Sequence, residues 1–255
     1  MTNKILKFKH SGALGDLIYS LPVVQHLGGG EFYLHLGQMD WIGQHYYGAP
    51  PNPFHKGRMT SQDYNYMQSF MRAQPYITQF DTMSPDREIT HNLDRFRPAF
   101  VGHPTNYIDL YAQTFNITET LSNKPWLTVP TPRPIPGRPV VINRTERWIP
   151  ATPGPQWAEW RAQSLPERAV FVGLKSEYQK FQADTHWSLP WVETPTMLDL
   201  AQVIAGAEEF IGNQSSALAM AIGLGVGRIR CEARTDMPLS RNECYFPQMT
   251  NVEYI

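Results

Sequence analysis

A proline-rich segment near the middle of the chain limits what the sequence can fold into. Residues 128–139 read TVPTPRPIPGRP, with five prolines and one glycine. Proline lacks a backbone N–H and fixes φ, so neither a helix nor a central strand continues through such a segment. Strand-like and helix-like patterns alternate on both sides of it. The segment therefore predicts a semi-rigid linker between two α/β halves.

This alternation predicts two doubly wound α/β domains that face a central cleft, the usual ligand site of such a pair. We place the N-terminal domain at residues 1–130, the linker at 131–139 and the C-terminal domain at 140–255. In the first half we expect strands at residues 4–9, 31–36 and 88–94, and helices at residues 16–27, 61–72 and 106–115. In the second half we expect strands at residues 139–143, 169–173, 208–213 and 227–233, and helices at residues 156–164, 177–182, 196–205 and 215–224.

The first strand leads into a Gly-x-x-Gly turn, HSGALGD at residues 10–16. Gly12 and Gly15 favour a tight turn, and Asp16 stands at the start of the amphipathic helix that follows. Two interpretations fit this carboxylate. It can stabilise the positive helix end as a cap or a first-turn residue. It can also perform chemistry, because ligands of open α/β sheets bind at strand-to-helix turns.

Small hydroxyl residues and cations follow the predicted strands of the second half. Ser215 and Ser216 begin a helix within GNQSSALAMAIGLG, residues 212–225. Small side chains let a phosphate approach the N–H groups of a helix N-terminus, and the helix dipole favours its charge. Three cations that could contact phosphate oxygens also follow predicted strands: Arg144, Arg147 and Lys175. The alternative is a serine-capped core helix with solvated basic residues nearby.

Composition argues against several classes of protein. The net charge of −1 gives no general attraction to nucleic acid or anionic lipid. No apolar run approaches the ~20 residues of a membrane span, and the N-terminus lacks the apolar centre of a secretory signal. The two cysteines form no CxxC pair, which suits a reducing cytosol. The eight histidines form no metal-binding motif. We therefore expect a cytoplasmic protein without a metal or a transmembrane segment.

Four motifs in order along the chain match a known family. They read SGALGDLIYSLP (11–22), HNLDRFR (91–97), GHPTNYIDLYAQTF (102–115) and LAQVIAGAEEFIGNQSSALAMAIGLG (200–225). Together they resemble glycosyltransferase family 9, the bacterial ADP-heptose:lipopolysaccharide heptosyltransferases and their relatives. The first resembles the family's R-x-G-x-x-G-D-hydrophobic-x-x-x-x-P loop, and the last resembles its G-N-D-S-G-P-x-H-L-A-A-A-L-G motif. The resemblance implies a GT-B fold, in which the first Rossmann-like domain binds the acceptor and the second binds the nucleotide-sugar.

The resemblance also implies an activity and a set of site residues. The activity is an inverting, metal-independent transfer of a sugar from a nucleotide-diphosphate donor to a glycan-type acceptor, without a further cofactor. The family's catalytic aspartate falls on Asp16, which would remove the proton of the attacking acceptor hydroxyl. The donor-binding residues would be Arg147, Lys175, Glu177, Gln214, Ser215 and Ser216, with Arg144 a lesser candidate. The acceptor-binding residues would be His10, Gly12, Asp94, Arg95 and Arg97.

Three residues depart from the family pattern in the late motif. Gln214 stands in place of an aspartate, Ser216 in place of a glycine and Ala219 in place of a histidine. These departures favour keeping one alternative, a non-catalytic GT-B module that binds a nucleotide sugar. A second alternative is a glycosyltransferase that acts on a modified nucleic-acid base. A basic strip at residues 87–97 could serve the second, although the near-neutral charge disfavours nucleic acid. Epimerisation of a nucleotide sugar is a third.

Overall fold

The structure of the chain, a computed structural model, describes residues 5–37, 59–96, 106–146, 149, 153–232 and 251–255. The chain divides into two compact units, and the division along the sequence falls between Thr128 and Val129, where the proline-rich segment begins. The described strands of each unit form one parallel sheet. No helix in the described ranges is long and apolar enough to cross a membrane.

The described residues of the first unit form a four-stranded sheet in the order β3-β2-β1-β4. The strands are β1 (Lys7–His10), β2 (Gly30–Leu34), β3 (Ile77–Thr82) and β4 (His91–Asn92), and the helices are α1 (Leu14–His26), α2 (Ser61–Arg72) and α3 (Tyr107–Thr114). The chain moves outward from β1 through β2 to β3 and then returns to the other side of β1. The direction of winding therefore reverses between β1 and β4.

Helix α1 contains a proline in its interior and is held by a distant tryptophan. Pro22 has no N–H, so the carbonyl oxygen of Ile18 loses its helical partner. The indole Nε1 of Trp126 donates a hydrogen bond to that oxygen at 3.2 Å. Trp126 is buried, so the bond satisfies an acceptor that would otherwise be shielded from water. The end of the first unit thus fixes the helix that carries Asp16.

Local sequence sets the ends of α2. Thr60 and Asp63 form a reciprocal capping box, in which the Asp63 carboxylate accepts the Thr60 N–H at 2.8 Å and the Thr60 hydroxyl accepts the Asp63 N–H at 3.2 Å. The helix predicted at residues 61–72 is confirmed with those bounds.

The strand predicted at residues 88–94 is wrong in length. Only His91 and Asn92 pair with β1, and residues 93–95 form a 3-10 turn instead. The Asn92 side chain accepts the N–H of Asp94 at 3.1 Å, which bends the chain out of the sheet at this point.

The described residues of the second unit form a six-stranded parallel sheet in the order β10-β9-β8-β5-β6-β7. The strands are β5 (Val140–Asn143), β6 (Ala169–Val172), β7 (Trp191–Val192), β8 (Glu209–Asn213), β9 (Arg228–Glu232) and β10 (Val252–Tyr254), and the helices are α4 (Gln156–Ala162), α5 (Lys175–Thr185), α6 (Met197–Ala205) and α7 (Ser216–Leu224). Winding runs outward from β5 through β6 to β7 and then from β8 outward on the other side. It reverses between β5 and β8.

The core beneath this sheet is rich in aromatic side chains. Trp157, at the start of α4, packs edge-on against Trp160, Phe181 and Trp187 with ring centroids 5.2 to 5.5 Å apart. Edge-on packing is the arrangement that ring quadrupoles favour. These aromatic side chains of the second unit therefore belong to its core.

The sequence patterns did not predict three of the strands: β3, β7 and β10. In β3 only Ile77 and Phe80 are buried, so its apolar residues do not alternate with a period of two. β7 and β10 have two and three residues, too few to show a period. All three lie at the edge of their sheets, where one side of the strand is unpaired.

Candidate functional site

The point at which winding reverses in an open parallel sheet leaves a crevice outside the carboxyl ends of the strands, and ligands bind there. In the first unit this point lies between β1 and β4. The Gly-x-x-Gly turn follows β1 directly, and the 3-10 turn at residues 93–95 follows β4. In the second unit the corresponding point lies between β5 and β8. The GNQSS segment, residues 212–216, begins at the end of β8 and leads into the next helix.

Asp16 is the third residue of α1 and is half-buried. Ala13 occupies the N-cap position, and its side chain makes no capping hydrogen bond. Asp16 is therefore a first-turn carboxylate and not the cap, so its charge lies beside the positive end of the helix. The helix begins with the hydrogen bond from the Leu17 N–H to the Ala13 carbonyl, 3.0 Å long. This places Asp16 on the segment that emerges from the crevice of the first unit.

Two buried side chains hold the turn before Asp16. Asp94 Oδ1 accepts the backbone N–H of Ser11 at 3.2 Å, and His10 Nδ1 accepts the N–H of Gly12 at 3.1 Å. Because His10 Nδ1 is an acceptor, the ring carries its proton on Nε2 and donates it to the Tyr111 hydroxyl oxygen, 2.8 Å away. Consecutive N–H groups of the turn are thus each paired with a side chain.

A buried charge pair lies beneath the same turn. Lys9 Nζ lies 4.0 Å from Asp94 Oδ2. Burial lowers the pKa of Lys9, and the negative charge of Asp94 opposes that shift. The pKa of His35, just after β2, is lowered by burial and by the charge of Lys9, again opposed by Asp94. Ionisable groups therefore surround the carboxyl end of β1.

The residues expected to contact an acceptor occupy different environments. His10 and Asp94 are fully buried, with no side-chain surface exposed, and both face the turn. A substrate cannot touch either of them in this conformation, so we assign them to the turn and not to the acceptor. Gly12 is buried within the turn, and Arg95 is exposed. Arg97 lies outside the described residues.

Neutral side chains line the crevice of the second unit. The Asn143 amide donates to the Val172 carbonyl at 2.9 Å and accepts the Ser215 hydroxyl at 3.1 Å. The Asn213 amide oxygen accepts the Thr145 N–H at 2.8 Å, and its Nδ2 donates to the Thr145 hydroxyl at 2.9 Å. Both asparagines are buried. Together these bonds tie the segments after β5, β6 and β8 to one another.

The two asparagines did not figure among the expected site residues. Each is the last residue of its strand, in VVIN and in EFIGN. A polar residue that ends an otherwise apolar strand is a readable signal, because that position faces the carboxyl edge of a parallel sheet.

Ser215 and Ser216 stand where α7 begins. Ser215 is the N-cap, and its hydroxyl accepts the Leu218 N–H at 3.2 Å while it donates to Asn143. Ser216 is the first helical residue and is half-buried, as is Gln214. The cap predicted for this helix is therefore present, and the hydroxyl that forms it also belongs to the asparagine network.

Glu177 closes the turn between β6 and α5. Its carboxylate oxygen Oε2 accepts the N–H of Leu174 at 2.9 Å. Burial raises the pKa of Glu177 and the nearby charge of Glu146 adds to the shift, while this hydrogen bond opposes it. Gly173 has φ +126°, and a Cβ there would lie 2.7 Å from Asn143 Nδ2 and 2.8 Å from Glu177 Oε2. Only glycine fits between the two side chains.

Lys175, the first residue of α5, is exposed and rests on aromatic faces. Its Nζ lies 4.5 Å from the centroid of the Trp191 ring and 4.9 Å from that of Tyr178. The Trp191 indole N–H in turn donates to the Gly173 carbonyl at 3.0 Å. The ammonium group is thus held at the edge of the crevice while remaining open to solvent.

Arg144 does not have the environment expected of a phosphate ligand. Its side chain is 2% exposed, its Nε lies 2.6 Å from Glu232 Oε2 and its Nη1 lies 2.7 Å from Asp184 Oδ2. The Trp157 indole N–H also donates to Glu232, at 3.1 Å. Two carboxylates therefore neutralise this guanidinium, and we reassign it from the donor site to a structural ion pair.

The pKa of Asp184 reflects its hydrogen bonds within this network. Burial alone would raise the pKa of its carboxyl, but hydrogen bonds from Lys180 and Arg144 outweigh burial and hold the pKa below its usual range. Arg147, the other arginine of this segment, lies outside the described residues. Among the residues that the structure describes, no three His, Cys, Asp or Glu side chains are grouped so as to hold a metal ion.

No protein-family profile matches the sequence, and no curated protein matches it. Solved structures match nearly all of it. A family 9 glycosyl transferase from Veillonella parvula matches with a TM-score of 0.63 at 13% identity, over 99% of this chain and 86% of its own. The E. coli heptosyltransferase WaaC, solved with ADP-2-deoxy-2-fluoro heptose, matches with a TM-score of 0.52 at 10% identity, over 98% and 92%.

A third match differs in length. TibC, an iron-containing dodecameric glycosyltransferase from enterotoxigenic E. coli, matches 99% of this chain but only 62% of its own, with a TM-score of 0.60 at 15% identity. The expected fold class is confirmed by all three. The chain has the α/β GT-B fold with two Rossmann-like parallel sheets, as have these three glycosyltransferases.

Proposed function

We propose that this chain is a glycosyltransferase that moves a sugar from a nucleoside-diphosphate donor to an acceptor hydroxyl. In this proposal the first domain, residues 1–130, binds the acceptor and the second, residues 140–255, binds the donor. The observation that carries the proposal is that the two motifs singled out in the sequence each follow a strand at which the winding of its sheet reverses.

Asp16 is the general base in this reaction. The acceptor oxygen attacks the anomeric carbon, its proton passes to the Asp16 carboxylate, and the bond from that carbon to the diphosphate oxygen breaks. The bonding electron pair leaves with the nucleoside diphosphate. A single displacement of this kind inverts the anomeric configuration. The half-buried first-turn position of Asp16 supports the assignment, because it places a carboxylate at the mouth of the first crevice.

The donor site combines neutral groups at the crevice with charged residues around it. Ser215 and Ser216 bring the N-terminus of α7 to the diphosphate, and Lys175 supplies a positive charge at the crevice edge. Glu177 and Gln214 contact the nucleoside or the sugar, and Arg147 remains a predicted diphosphate ligand. Arg144 is left out, because its charge is already neutralised within the protein.

The acceptor site is smaller than the sequence suggested. Gly12, Arg95 and Arg97 remain its predicted residues. Because WaaC was solved with an ADP-heptose analogue, ADP-heptose is the first donor to try. The carboxylate that the family pattern has at residue 214 is replaced here by an uncharged amide, so the panel must extend to other nucleoside-diphosphate sugars.

The test is a panel of nucleoside diphosphates and their sugars, read first by thermal shift and then by transfer to glycan acceptors. A donor at 100 times its Kd stabilises the protein by ~2.7 kcal/mol, which a thermal shift resolves. We expect one nucleotide to stabilise the chain and its sugar to be transferred only with acceptor present, with inverted anomeric configuration by NMR. Stabilisation without transfer to any acceptor would indicate a non-catalytic binding module. Product formed without an acceptor would indicate epimerisation.

Two controls address the remaining parts of the proposal. Because TibC is described as iron-containing, transfer is measured after dialysis against EDTA. We expect the rate to be unchanged, and a loss that iron restores would contradict the metal-independent mechanism. Salt-dependent binding to DNA, together with transfer to a modified base, would replace the glycan acceptor by nucleic acid.

A further inference from the structure

Asp94 is a buried carboxylate that the proposed reaction does not use directly. It has no exposed surface and lies on the 3-10 turn that follows β4. Its backbone is held in place by a hydrogen bond from its own N–H to the Asn92 side chain, 3.1 Å long. A charge in such a place costs free energy unless other groups stabilise it. Its contacts therefore indicate what it does.

Among the described residues, the side chain of Asp94 contacts β1 and the turn between β1 and α1. Oδ1 accepts the Ser11 N–H at 3.2 Å and lies 3.9 Å from His10 Nδ1, while Oδ2 lies 4.0 Å from Lys9 Nζ. His10 in turn accepts the next N–H of the turn, that of Gly12. The carboxylate and the imidazole thus satisfy two consecutive donors that the tight turn points inward, away from water.

The turn sets where α1 begins. Ala13, which follows Gly12 directly, is the N-cap of the helix, and Asp16 is its third residue. The cap itself lacks a side-chain hydrogen bond, so the start of α1 is held through the turn and through the packing of the helix. Any shift of residues 11 and 12 moves the first helical turn and the carboxylate on it.

We propose that Asp94 is a positioning residue that, with His10, fixes the Gly-x-x-Gly turn and so places the Asp16 carboxylate for proton transfer. This inference rests on the proposed role of Asp16. It assigns the function of Asp94 to its hydrogen-bond acceptor and not to contact with a substrate. Placement of a catalytic group matters because a misplacement of about 1 Å can cost ~100-fold in rate.

Two substitutions separate the acceptor from the charge. Asp94→Asn keeps an oxygen that can accept the Ser11 N–H but removes the charge. Asp94→Ala removes both. We expect kcat to fall about 10- to 100-fold in the alanine variant, with the donor KM within about threefold of wild type, and the asparagine variant to recover most of kcat. Asp63→Ala is the matched control, because it also removes a carboxylate that accepts a backbone N–H, but on the exposed start of α2.

Amide hydrogen exchange supplies a second readout that does not depend on turnover. The amides of Ser11 and Gly12 should exchange at least ~10-fold faster in Asp94→Ala, and near the wild-type rate in Asp94→Asn and Asp63→Ala. If no transfer is found at all, the proposed function fails while the exchange data still test the hold on the turn.

Either of two results would overturn the inference. One is an asparagine variant that loses as much kcat as the alanine variant. This result would mean that the negative charge of Asp94, and not its hydrogen-bond acceptor, is what the reaction needs. The other is an alanine variant with unchanged kcat and unchanged exchange at residues 11 and 12. Should the alanine variant fail to fold, as judged by circular dichroism, the asparagine variant decides alone. In the asparagine variant, a retained kcat and retained protection of the Ser11 and Gly12 amides would support the inference, and a loss of kcat would contradict it.

Discussion

The two crevices occupy equivalent places in their sheets but are held by different chemistry. In the first unit the turn after β1 is fixed by ionisable side chains, His10 and Asp94, with Lys9 close by. In the second unit the segments after β5 and β8, on either side of the point where the winding reverses, are fixed by the amides of Asn143 and Asn213. The first arrangement suits a site that handles a proton. The second suits a site that must accept an anion, because a fixed carboxylate beneath a diphosphate would repel it.

The cations Arg144 and Lys175 of the second unit do not place an unpaired charge inside its crevice. The Arg144 guanidinium is balanced by Glu232 and Asp184, so the network presents no unpaired charge. Lys175 carries its charge at the exposed edge instead. The comparison therefore predicts different responses of the two regions to changes of charge and of pH.

The largest effect is expected from removing Arg144. The Arg144→Met substitution leaves Glu232, which is only 1% exposed, without its cation, while Asp184 keeps its ion pair with Lys180. Breaking a buried pair in this way costs about 3–5 kcal/mol of the free energy of unfolding.

Arg228→Met is the matched control, because Arg228 is 54% exposed and its two carboxylate partners, Glu253 and Glu209, both keep Arg230. The loss in this variant should be at most ~1 kcal/mol. Urea unfolding measures both, and equal losses would contradict a closed network.

A smaller effect follows from placing a charge within the neutral crevice. In Asn213→Asp the carboxylate can still accept the Thr145 N–H and hydroxyl, so the fold is retained. The added charge should weaken binding of the preferred nucleoside diphosphate by about tenfold, ~1.4 kcal/mol. Gln179→Glu makes the same change of charge on the exposed surface of α5 and should leave the Kd within about twofold. Calorimetric titration of both variants decides, and equal Kd values would break the comparison.

The smallest effect is a difference in acid sensitivity. Burial lowers the pKa of His35 and His91 in the first unit. The unfolded chain therefore binds a proton at these histidines more readily than the folded state does. As a result, the free energy of unfolding decreases as the pH falls through the ordinary histidine range. Glu177 in the second unit has a raised pKa, and its protonation favours the folded state as the pH falls.

Hydrogen exchange corrected for its intrinsic pH dependence should therefore show protection lost first in the first unit between about pH 7 and pH 5. A double variant with His35→Gln and His91→Gln should show less of this loss. An equal loss of amide protection in both units would contradict the expected difference in acid sensitivity.

Much of the fold could be predicted because its signals are local. Thr60 with Asp63, and Thr196 with Asp199, mark helix starts within four residues, and the predicted helices at 61–72 and 196–205 begin there. The residues VVI of β5 and AVFV of β6 are continuous apolar runs, as buried parallel strands are. The edge strands β3, β7 and β10 have neither a capping pair nor a continuous apolar run.

The environment of the candidate site residues could not be predicted in the same way. Asp94 reads as an accessible carboxylate until β4 pairs with β1 and brings it to Ser11, 83 residues away. Arg144 reads as a phosphate ligand until β9 brings Glu232 to it, 88 residues away. A sequence shows the residue type at a strand end, but whether that side chain faces a ligand or the protein depends on contacts of this range.

Asp16→Asn tests the proposed role of Asp16 as the general base. The substitution preserves size and removes basicity, so donor Kd should stay within about twofold of wild type while kcat falls about 10²–10⁴-fold. Asp63→Asn, a carboxylate in the first turn of α2, is the matched control and should keep the wild-type kcat. A kcat near that of wild type in Asp16→Asn, with donor and acceptor saturating, would contradict the account.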